Sequence, residues 1–216
     1  MDFLDDLFNS FSVPAEPISG MLEEDLFWQI IENSLQEASN LNEQRQSLAL
    51  ELERLTAEDI IGFQIRLENL LFSLHSPEIW CAACIMNDET DPKHFFYFKN
   101  WIVSQGRELF EKALSHPDRL SYYFKEGFNE DDLYEFENFH SITNELFMVK
   151  VGLPIANYIE KKQLENFTEN FPKPDFDWDD ENFTNLQIFC PKLYKIFVED
   201  YFVDEEDEEE DEDDIL

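Results

Sequence analysis

The sequence predicts an all-α fold: a single multi-helix domain over residues 21–203, a short N-terminal arm over 1–20 and a disordered acidic tail over 204–216. Three observations carry this reading. Apolar residues recur at a three-four step along most of the chain, the period of one helix face. No stretch alternates apolar with polar residues, as a half-buried strand does. Glycine occurs only 5 times in 216 residues, too few for the tight turns of a β meander.

The elements follow in order. In the arm, Phe3, Leu4, Leu7, Phe8 and Phe11 share a helical face, and Pro14, Pro17 and Gly20 end it. The arm is either a short docked helix or an acidic-hydrophobic peptide for a partner's groove. Leu26, Phe27, Ile30, Ile31 and Leu35 mark the first helix of the body, with Glu23, Glu24 and Asp25 at its start. Leu48, Leu52 and Leu55 mark the next, over 41–55. Thr56 reads as an N-cap with Glu58 and Asp59 in the first turn. Ser76-Pro77 opens PEIWCAACIM, which is apolar on nearly all sides and therefore central. Asp91-Pro92 caps the Phe-rich helix that follows, and Gly106 bends or splits it. His116-Pro117-Asp118 starts a short helix. Residues 131–150 read as one long amphipathic helix, 171–178 as an extended proline segment, and 191–202 as a last helix. Roughly eight to ten helices result.

Charge bounds the function. The chain has 50 acidic and 15 basic residues, a net charge of -35. Eleven consecutive acids, Asp204 to Asp214, form the tail, and setting them aside leaves 39 acids against 15 bases. The body is therefore acidic in its own right. Such a surface repels nucleic acid and anionic membrane and attracts basic proteins. The tail is either a solubilising segment or a lure for a basic partner, with Asp204, Glu205, Glu206 and Asp207 first in line. The first residues, MDFLDDLFNSF, lack the basic and long apolar regions of a signal peptide. Three cysteines, an odd number without disulfide spacing, fit a reducing cytoplasm.

The sequence resembles the bacterial family known as domain of unknown function 4240. The residues that carry the resemblance are the run 25–34 (DLFWQIIENS), Trp80-Cys81-Ala82-Ala83, and above all 95–107 (FFYFKNWIVSQGR). Phe110 to Leu114 and Pro117 to Leu120 continue it, and Pro172-Lys173-Pro174, Trp178 to Glu181 and Pro191-Lys192-Leu193 resemble its ending. The resemblance implies a mostly helical domain and supplies no catalytic residue. The chain departs from the pattern at Lys99, where an Arg is expected, and in the turn Asn87 to Asp91, where a Gly/Cys/Ser/Asp-rich turn is expected.

Candidate chemistry is sparse. Cys81 and Cys84 have C-x-x-C spacing, but no second pair follows and Cys190 is distant in sequence, so buried structural thiols are expected. Asp88, Glu89, Asp91 and His94 put three carboxylates and an imidazole within seven residues. That set is the one candidate for a divalent cation, through Asp88, Asp91 and His94, although Asp91 is explained as a cap. His75, His116 and His140 are scattered, and no phosphate loop, nucleotide fingerprint or nucleophile elbow is present, so no catalytic residue and no cofactor are expected. Trp101 reads as core, and Arg107 as an ion pair with a body carboxylate or an anion contact to a partner. The leading expectation is a non-enzymatic cytoplasmic binding protein, of acidic inhibitor, immunity or nucleic-acid-mimic type, acting on a basic partner. The alternatives are a metal-assisted hydrolase centred on Asp88–His94 and a plain helical scaffold.

Overall fold

The computed structural model describes residues 18–36, 38–87, 90–123, 133–160, 173–175 and 183–199. It is mostly helical. Among the described residues there is no strand, only one isolated parallel bridge between Ile18 and Ile159. These residues fall into two compact units. The first draws on 1–72, 100–107 and 136–169, and the second on 73–99, 108–135 and 170–216.

In the first unit, α1 (Glu24–Leu35), α2 (Leu41–Glu53) and most of α3 (Ala57–Ser73) follow the apolar periodicity. Asn40 caps α2 by accepting the Glu43 amide at 2.9 Å, and Thr56 caps α3 by accepting the Asp59 amide at 3.1 Å. Phe27 and Phe63 stack with centroids 4.5 Å apart between α1 and α3. Ile60, Ile61 and Ile65 of α3 bury against Phe147 and Val151 of α7 (Ile142–Val151), and against Ile155 and Ile159 beyond it. Gly62 is needed where the chain before α1 crosses α3: the Leu22 amide donates to the Gly62 carbonyl at 3.0 Å, and a Cβ there would lie 2.9 Å from the Leu22 nitrogen. The end of the arm is held by two backbone bonds, from the Ile18 amide to the Tyr158 carbonyl and from the Glu160 amide to the Ile18 carbonyl. Residues 1–17 of the arm lie outside the described residues.

In the second unit, Ser76 caps α4 (Pro77–Met86) by accepting the Ile79 amide at 3.3 Å. Trp80 of α4 meets Phe95 of α5 (Pro92–Ser104) at 4.9 Å. Fully buried Lys99, at the position that departs from the family pattern, lies over the Phe95 ring with its Nζ 3.4 Å from His75 Nδ1. The α5 helix runs on into residues 100–107 of the first unit and ends at Ser104; there Gly106, at φ 95°, separates it from α6 (Arg107–Ser115). A 3-10 helix follows over Pro117–Tyr123. Asp118, 4% exposed, accepts the Lys192 and Leu193 amides at 2.8 and 3.0 Å, so its buried carboxylate satisfies the start of the last helix.

Two expectations are corrected, and one helix is unanticipated. The long helix over 131–150 is not formed: its described part is non-helical from Leu133 to Ser141, and α7 begins at Ile142. The run Asn138-Phe139-His140-Ser141 favours helix weakly. The turn it makes buries Phe136 and Phe139, 5.2 Å apart, and brings His140 to Glu68 of α3. The last helix, expected over 191–202, divides into α9 (Pro191–Tyr194) and a π-helical turn over Lys195–Glu199; residues 200–202 lie outside the described set. A helix not anticipated, α8 (Phe183–Phe189), precedes it. In the proline segment, 173–175 are irregular and the rest lies outside the described residues.

Candidate functional site

The second unit holds a cavity of about 400 Å³ lined by Asn87, Thr90, Asp91, His94, Leu133 and Glu135. Local chemistry explains its walls. Asn87 is the C-cap of α4, and its side-chain Oδ1 accepts the Tyr134 amide at 2.9 Å, which ties segment 133–135 to the helix end. Asp91 caps α5, its Oδ1 accepting the His94 amide at 2.8 Å. One helical turn places His94 beside that cap, where its Nδ1 faces both Glu135 carboxylate oxygens at 3.0 and 3.1 Å. Tyr134 turns inward, 4% exposed, and meets Phe197 edge-on at 5.7 Å.

The electrostatics follow from burial. The Glu135 side chain is 12% exposed, and burial raises its pKa above the ordinary glutamate value. The facing His94 opposes that rise and nearby Asp91 adds to it. Burial pushes the Tyr134 phenol up to about 12. The Asn87 Nδ2 atom is buried and meets no hydrogen-bond acceptor. Two carboxylates and one imidazole thus line one cavity, beside the apolar and half-exposed Leu133.

Of the residues singled out from sequence, Asp91 and His94 line this cavity, and Asp88 lies outside the described residues with Glu89. Asp204, Glu205, Glu206 and Asp207 also lie outside them. Sequence reasoning missed Asn87 as a lining side chain and missed Glu135, which is 41 positions from His94 and carries no local motif. Among the described residues, no group of three or more His, Cys, Asp or Glu side chains is arranged to hold a metal ion. Arg107 contacts Asp25 at 2.9 Å and Glu24 at 3.3 Å. Trp101 is 8% exposed. Cys190 is not isolated in space: the Cys81 thiol lies beside it and donates to the Leu186 carbonyl at 3.6 Å, and both cysteines are fully buried. That contact and burial push the Cys190 pKa far up. Cys84 is half-buried, and His116 is exposed.

The first unit holds a second polar cluster. His140 Nε2 meets Glu68 Oε1, Gln64 Nε2 donates to Glu68 Oε1 at 2.8 Å, and Thr143 Oγ1 donates to Gln64 Oε1. Gln64, Glu68 and Thr143 are all buried. Each polar group answers another, which describes a cross-link between α3 and the turn before α7.

No described helix is long and apolar enough to cross a membrane. Comparison with curated proteins finds no match, and comparison with solved structures finds none. A family model does match, over residues 22–148, which covers α1 through most of α7, the polar cluster and every residue lining the cavity. The chain belongs to the family described as Protein of unknown function (DUF4240).

Proposed function

We propose that this is a non-enzymatic binding protein whose acidic surface engages a basic macromolecular partner, in the manner of an inhibitor or immunity protein that imitates nucleic-acid phosphates. The observation that carries the reading is the use of the few basic side chains. Arg45 pairs with Glu145, Arg54 with Glu51, Arg66 with Glu24, Arg107 with Glu24 and Asp25, and Lys112 with Glu108. Lys150 donates to two backbone carbonyls, and Lys99 is buried. These seven bases are engaged within the chain, while the full sequence sets 50 acids against 15 bases. Glu23, Glu32, Glu53, Glu58 and Glu78 are exposed.

The resulting field steers a basic surface from a distance. Short-range attachment requires desolvated apolar contact as well. In the first unit Met148, Val149 and Leu153 are 46%, 86% and 49% exposed, at and just beyond the C-terminal end of α7. They offer such contact beside exposed Glu145. The same charge disfavours nucleic acid and anionic membrane as partners. The hydrolase alternative has less support, because Asp91 Oδ1 and His94 Nδ1 are both engaged in contacts within the chain.

Affinity capture from the native host at about 0.05 M and about 0.5 M NaCl tests the reading. The expected result is a basic protein held at low salt, released at high salt, and bound again after purification. Capture of only neutral or acidic proteins, insensitive to salt, contradicts it.

A further inference from the structure

We draw no further inference here: the strongest candidate, the exposed apolar patch of Met148, Val149 and Leu153 at and just beyond the C-terminal end of α7, is a bare face for which nothing in the structure shows what covers it.

Discussion

His140 Nε2 lies against Glu68 Oε1 although the two residues are 72 positions apart. The contact joins α3 to the turn before α7, and Gln64 and Thr143 complete it. Glu68 is 5% exposed, so its carboxylate depends on these donors instead of water.

Replacing Glu68 with Ala is therefore expected to cost about 3 kcal/mol, the scale of breaking a buried pair and leaving its partners unanswered. Urea denaturation checks this. Glu32→Ala, at an exposed position of α1, should cost under about 0.5 kcal/mol.

The same relationship explains what the sequence hid. The helices from α1 to α6 are legible because caps, Pro at the first position and three-four periodicity agree: Thr56, Ser76-Pro77 and Asp91-Pro92 are read directly. Gly106 is read as a break for the same local reason. The segment around His140 is not legible, because its apolar spacing mimics a helix while a partner on α3 decides its shape. The cavity is half legible. Asn87, Asp91 and His94 are close in sequence, whereas Glu135 joins them only through tertiary folding. The Cys81–Cys190 contact is invisible for the same reason.

Gly62→Ala is expected to destabilise by about 1–3 kcal/mol, because the new Cβ meets backbone 2.9 Å away and neither chain segment can yield cheaply. Gly20→Ala, with nothing within 4 Å of its Cβ position, should be within about 0.5 kcal/mol of the parent. Paired thermal melts compare them.

Thiol labelling should separate the cysteines. Cys81 and Cys190 are fully buried, and the Cys190 thiol resists ionisation, so neither is expected to react in the native state. Cys84 should label first, and all three should label in denaturant. Mass spectrometry after brief alkylation reads the order; early labelling of Cys190 contradicts the burial.

Tyr134 gives a pH dependence with a defined sign. Its phenol ionises at about 12 in the folded chain, against about 10 when exposed. The folded state holds the proton more tightly, so this contribution to stability is intact below pH ~10 and is lost as pH rises through about 12. An absorbance titration of phenolate should show a late phase that Tyr134→Phe removes.

The central claim is that the acidic surface acts on a basic partner, and the association rate of the purified partner over a NaCl series tests it most directly. The account predicts a rate constant that falls steeply as salt rises from about 0.02 to 0.5 M, with a dissociation rate that changes little. An association rate independent of salt would contradict it.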